Sequence, residues 1–150
     1  GGVLEYRITA VNVQEKVPAT DLIAAAPRGR LLLADGNYDS DRLYRLAEER
    51  GVELFTPLKG FAQTARGLRL MSDARKRAMR AWREHPRTCE RLLDLRDAVE
   101  RAFANLSNFG GGLGPLPAWV RTLPRVQRWV AAKLVIYQAR RLAKRRAAAA

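Results

Sequence analysis

The sequence predicts an α/β fold, and three observations predict it. Leu31-Leu32-Leu33-Ala34 is a short apolar run stopped by the turn residues Asp35-Gly36-Asn37. Val52-Glu53-Leu54-Phe55-Thr56 is a second strand-like run, stopped at Pro57. Between them Leu43, Leu46 and Ala47 recur at helical spacing, which completes strand, helix, strand.

The elements follow in order. Residues 3–12 alternate Leu4, Tyr6, Ile8 and Ala10 with Glu5, Arg7 and Thr9, a period of two that predicts a strand with one wet face. Thr20 or Asp21 can cap a short helix through Leu22, Ile23 and Ala24–Ala26, ended by Pro27 and Gly29. The run at 31–34 is unbroken by polar residues and reads as a strand buried on both faces. Asp39 or Ser40 can cap the next helix, with Gly51 just beyond its end. After the strand at 52–56, an exposed basic loop containing Gly60 and Gly67 is expected over residues 58–72. A basic helix is predicted from Asp73 to Arg83, and Pro86 marks a break. Leu92, Leu95, Val99, Ala102, Phe103 and Leu106 then predict one helix over 90–107. Gly110-Gly111-Gly112 and Gly114-Pro115-Leu116-Pro117 predict a turn-rich linker. A last helix starts near Pro124, with Val126, Trp129, Val130, Leu134 and Tyr137 on its apolar side and Arg140, Arg141, Lys144, Arg145 and Arg146 crowding its end. No repeat is present, and a single domain is expected, in three portions: 1–58, 59–109 and 110–150.

Charge is distributed unevenly. Residues 1–60 carry 8 basic and 9 acidic side chains, whereas residues 61–150 carry 20 basic and 6 acidic. No Asp or Glu follows Glu100, but ten Lys or Arg do. A one-sided field of this kind attracts a polyanion, for which DNA or RNA is the ordinary candidate. A genome that favours Arg and Ala codons is the plainer explanation of the same counts. Cys89 is the only cysteine, so no internal disulfide forms, in keeping with a cytoplasmic location. No run approaches the ~20 apolar residues that span a bilayer. The opening Gly1-Gly2-Val3-Leu4-Glu5-Tyr6 is neither a signal peptide nor an initiation site, and it reads as a domain entered part-way.

Two carboxylates stand out. Asp35 follows the predicted end of a buried strand, where ligands of open α/β sheets gather, and a carboxylate there suits Mg²⁺. Asp-Gly-Asn is equally an ordinary turn. Glu100 follows Arg96 by four residues, so the two share a face of the predicted helix; either they form a surface ion pair, or Glu100, beside Val99, points toward the sheet edge. Of the rest, His85 beside Pro86 reads as a loop residue and Cys89 as an inert thiol. Trp119 and Trp129 can stack on bases, although Trp129 also sits at core spacing with Val126 and Val130. Gly110–Gly112 is no phosphate loop, because it follows no strand and precedes no Gly-Lys-Ser/Thr.

The stretch Leu31-Leu32-Leu33-Ala34-Asp35-Gly36-Asn37-Tyr38-Asp39-Ser40 resembles the second-aspartate motif of DDE insertion-sequence transposases, in which an apolar strand ends in Asp and Tyr-Asp follows shortly. Arg96, three residues, then Glu100-Arg101-Ala102-Phe103 resembles the family's Tyr-x2-Arg-x3-Glu-x6-Lys signature around the third acidic residue. The opening strand pattern and Asn12-Val13 resemble the stretch upstream of the second aspartate. Two positions depart from the signature: Leu93 stands where the Tyr falls and Ser107 where the Lys falls. The family's first aspartate lies on a strand before any residue here, and Asp21, at a predicted helix start, does not replace it.

The resemblance implies a ribonuclease H-like mixed sheet with flanking helices, incomplete at the N-terminus, and a basic helical C-terminal part. It implies Mg²⁺-dependent DNA strand cleavage and strand transfer, with two Mg²⁺ (or Mn²⁺) ions held by three carboxylates. Asp35 and Glu100 are then metal ligands, and Arg96 holds a backbone phosphate. Arg101, Arg140, Arg141, Lys144 and Arg145 add DNA contacts that carry affinity rather than sequence. Double-stranded DNA, as transposon ends and target, is the implied partner, bound by a homodimer near the bacterial nucleoid. Lacking the first Asp, the chain alone is expected to be inactive. The alternative is a basic DNA-binding remnant of a transposase that keeps charge without chemistry; an RNA-associated basic domain fits the charge but gives Asp35 no role.

Overall fold

A computed structural model describes residues 3–58, 69–108 and 112–149. Its elements are α1 (Lys16–Ala25), β1 (Leu31–Leu33), a 3₁₀ turn (Gly36–Tyr38), α2 (Asp41–Glu49), β2 (Glu53–Phe55), α3 (Asp73–Glu84), α4 (Pro86–Asp94), α5 (Asp97–Asn108) and α6 (Leu123–Ala147). The chain packs as two compact units, one of residues 11–96 and one of residues 1–10 with 97–150.

In the unit of residues 11–96, β1 and β2 pair in parallel, with Leu31 opposite Glu53, Leu32 opposite Leu54 and Leu33 opposite Phe55. Parallel neighbours need a crossover, and α2 supplies it. The helix turns Leu43, Tyr44 and Ala47 inward, where they join Ile23, Val52, Leu54, Phe55 and Ala78 in the core. Gly51, at φ +67°, ends α2 in the left-handed region, and its carbonyl accepts from the Gly29 amide at 2.7 Å. Beyond β2, Thr56 is fully buried and satisfied at both ends: its hydroxyl meets the Tyr44 hydroxyl at 3.0 Å, and its carbonyl accepts from Trp82 Nε1 at 3.1 Å. The Trp82 ring stacks on Phe55 with centroids 5.8 Å apart, so α3 is clamped onto the end of β2. Ser72 caps α3 by accepting the Arg75 amide, and Pro86 starts α4.

In the other unit, Leu106 of α5 packs with Leu134 and Tyr137 of α6, flanked by Val3, Leu113 and Val130. Residues 3–10 accept bonds from α6, with Gln138 Nε2 reaching the Val3 carbonyl at 2.6 Å.

Among the described residues the chain is helix-rich with a two-stranded parallel sheet, compatible with the expected α/β class. Four local expectations are corrected. Residues 3–10 carry the alternation of a strand but form none; their carbonyls at Val3 and Ile8 take glutamine side chains rather than a ladder partner, and Leu4 is 91% exposed. The first helix begins at Lys16, a turn before Thr20, which sits inside it and bonds back to the Val17 carbonyl. β1 is not buried on both faces: Leu31 is exposed, and Leu32 and Leu33 are only half-buried. The single helix expected over 90–107 is two, α4 and α5, separated at Leu95–Arg96 where the amides bond three residues back to Leu92 and Leu93. The loop expected over 58–72 and the glycine run at 110–112 lie largely outside the described residues. No helix among the described residues is long and apolar enough to cross a membrane.

Candidate functional site

Asp35 lies two residues beyond β1 in extended backbone, half-buried. Its Oδ1 accepts the Asn37 amide at 2.6 Å and its carbonyl accepts the Tyr38 amide at 3.1 Å, so it caps the 3₁₀ turn. The turn reading of Asp-Gly-Asn is therefore correct as local structure. It leaves chemistry open, because a carboxylate has about four acceptor positions and the cap uses one.

The segment that follows is braced from α3. The Arg75 guanidinium forks onto Asp39, with Nε at 3.0 Å from Oδ1 and Nη2 at 2.9 Å from Oδ2, and the Asp39 side chain is only 1% exposed. Asp41 Oδ1 accepts the Ser72 amide at 2.7 Å, and Asp41 Oδ2 accepts Arg45 Nε at 2.7 Å. Burial pushes the Asp41 carboxyl up, but the Ser72 amide and Arg45 outweigh it and hold the group below the ordinary carboxylate range. Tyr38 is raised, first by burial and then by the charges of Glu15 and Asp35. Asp39 and Ser40 were the expected caps of α2. Ser40 occupies the cap position without a side-chain bond, and Asp39 serves Arg75 instead.

Arg96 is half-buried in the turn between α4 and α5, whereas Glu100 lies on α5, so the single helix expected to carry both is not formed. Glu100 is exposed in the first turn of α5, where a negative charge gains about 0.3–1 kcal/mol from the helix dipole. Val99 beside it is 51% exposed and Phe103 62%, so the apolar stripe expected there is largely solvent-facing. Arg101 is exposed on the same helix. Of the departures from the signature, Leu93 packs against the core and Ser107 is exposed.

Arg140, Arg141, Lys144 and Arg145 lie near the end of α6, where spacings of four align Arg140 with Lys144 and Arg141 with Arg145. The Arg141 guanidinium rests 5.8 Å from the Tyr137 ring centroid. Cations in the last turn also suit the negative helix end. Asp35 and Arg96 thus belong to the unit of residues 11–96, and Glu100, Arg101 and the basic residues of α6 to the other.

Asp35 offers hard oxygen at a strand end, which suits Mg²⁺. Among the described residues no three His, Cys, Asp or Glu side chains form a metal-binding group, so the donor chemistry fits while the donor set is partial. His85 is exposed at the junction of α3 and α4. Cys89 is buried, and burial together with Glu90 pushes its thiol up, which makes it a poor nucleophile.

Sequence reasoning missed the Asp39–Arg75 fork, the Asp41–Ser72 bond and the Trp82 clamp. Ser72 before a helical pattern is a legible cap signal. The other contacts join residues far apart in the chain, and nothing in their local spacing announces them.

A family model described as the transposase DDE domain matches residues 1–137. No curated protein and no solved structure matches the chain. With that match covering most of its 150 residues, the chain belongs to the transposase DDE domain family.

Proposed function

We propose that the chain is part of the catalytic domain of an insertion-sequence transposase, which cleaves DNA strands and transfers them in a Mg²⁺-dependent reaction. The observation that carries this reading is the family match over residues 1–137, a span that includes both Asp35 and Glu100. The parallel β1–α2–β2 unit with Asp35 past the carboxyl end of β1 supports a ribonuclease H-like sheet.

In this reading Asp35 and Glu100 are ligands for Mg²⁺ or Mn²⁺, and the bound metal supplies Lewis-acid stabilisation of the phosphodiester oxygens. Arg96 holds a backbone phosphate. Arg101, Arg140, Arg141, Lys144 and Arg145 hold duplex phosphates, positioning DNA without reading its bases. The protein works in the cytoplasm as a homodimer on paired DNA ends.

The test separates chemistry from binding. In a transposase containing this segment, Asp35→Asn or Glu100→Gln should abolish strand cleavage and leave duplex affinity nearly intact. Binding that falls as far as cleavage would remove the ligand assignment. Cleavage undetectable even in the unsubstituted protein, with binding retained, would favour the non-catalytic DNA-binding alternative.

A further inference from the structure

The unit that carries α6 has a second basic surface, distinct from the cluster at the end of that helix. Trp119 is 64% exposed, an unusual position for an indole, and its carbonyl accepts from Arg125 Nη1 at 3.0 Å. Trp119, Arg125, Arg128, Trp129 and Ala132 line an open groove of about 590 Å³. Lys133 Nζ stands 5.2 Å from the centroid of the Trp129 ring, and Arg121 precedes α6 nearby in the chain. Segment 101–150 holds no Asp or Glu, so it supplies no side-chain carboxylate to neutralise this charge.

An exposed indole beside several cations fits a specific chemistry. The ring presents a flat apolar face that water solvates poorly, and the guanidiniums match phosphate geometry. Bases inside a duplex have both faces covered by their neighbours, so they cannot stack on a protein ring. An unpaired base has a free face, with a phosphate on either side for the arginines. Stacking platforms flanked by cationic groups are the general means of holding single strands.

We propose that Trp119, Arg125 and Arg128, with Trp129 flooring the groove, bind an unpaired base and its flanking phosphates in single-stranded DNA. The inference deepens the DNA reading above and rests on it. It gives the two basic surfaces of this unit different tasks, duplex backbone at the end of α6 and unpaired strand at its start.

The test is fluorescence titration of the chain with a short oligothymidylate and with a blunt duplex of equal phosphate count. The oligothymidylate should bind and quench tryptophan emission. Trp119→Ala should weaken that binding about tenfold or more, leave duplex binding unchanged, and preserve the circular dichroism expected when an exposed ring is removed. Trp119→Phe should keep most of the affinity. Arg125→Ala with Arg128→Ala should flatten the salt dependence of single-strand binding. Single-strand affinity untouched by Trp119→Ala overturns the proposal, as does an equal loss for duplex. Oligouridylate bound more tightly than oligothymidylate overturns the assignment to DNA. Duplex bound without any single strand sinks this inference alone, whereas neither bound would also remove the DNA reading on which it rests.

Discussion

At Asp41 two effects oppose each other, and the hydrogen bonds win. Burial disfavours its charge, yet the Ser72 amide and Arg45 hold the carboxyl below its usual range. A carboxyl depressed on folding stabilises the fold above its unfolded value, and the gain is lost as pH falls through the folded value. Asp41→Asn keeps an acceptor for Ser72 but loses the charge, so it should cost about 1 kcal/mol at pH 7. That difference should narrow as acid protonates the native carboxylate, which urea melts from pH 7 down to pH 3 would show. Asp39 is a stronger case, because its partner Arg75 is a fork and the carboxylate is buried. Removing Arg75 takes a two-pronged cationic partner from a buried carboxylate, so Arg75→Ala should destabilise by about 3 kcal/mol. A double-mutant cycle with Asp39→Ala should return a coupling well above 1 kcal/mol, and additivity would refute it. Little of this was legible beforehand. Asp35 was readable because an apolar run ends in Asp-Gly-Asn, whereas Asp39 looked like a helix cap and proved to be a tertiary ion pair with a residue 36 positions on.

Among the elements, α2 lies where the apolar spacing of Leu43, Leu46 and Ala47 puts it, and α3 where the basic helical pattern over 73–83 does. Gly51 after α2 was legible for the same reason, as a stop residue. Its φ of +67° is costly for an L side chain, so Gly51→Ala should cost about 1–2 kcal/mol in a denaturant melt. The nearest atoms to an added Cβ belong to the Arg28 side chain at 3.7 Å, so strain rather than a clash sets that cost. The residues 3–10 show the opposite outcome. Alternation reports which side of a strand would be dry, but a strand also needs a neighbour for its amides, and a one-dimensional pattern does not supply one. The helix expected over 90–107 failed because apolar spacing of three and four continues across Leu95–Arg96 while the backbone turns there. Arg96 lies in that turn, and Glu100 on α5.

Over the whole molecule, charge asymmetry was the most legible property, because net charge survives any error in element boundaries. It bears on association rather than on fold. Each phosphate neutralised should steepen log K against log salt by about 0.9, so removing Arg140, Arg141, Lys144 and Arg145 one by one should flatten the duplex-binding slope stepwise. An unchanged slope would show that the end of α6 does not meet DNA. The metal-ligand role proposed for the two carboxylates leans mainly on the resemblance, since Asp35 is locally a turn residue and Glu100 locally a helix-start residue. The most direct measurement therefore changes the metal rather than the charge. In a transposase containing this segment, Asp35→Cys should be inactive in strand cleavage with Mg²⁺, which binds thiolate poorly, and regain cleavage with the softer Mn²⁺. Full activity of Asp35→Cys in Mg²⁺ would contradict the account, as would loss in both ions together with loss of DNA affinity.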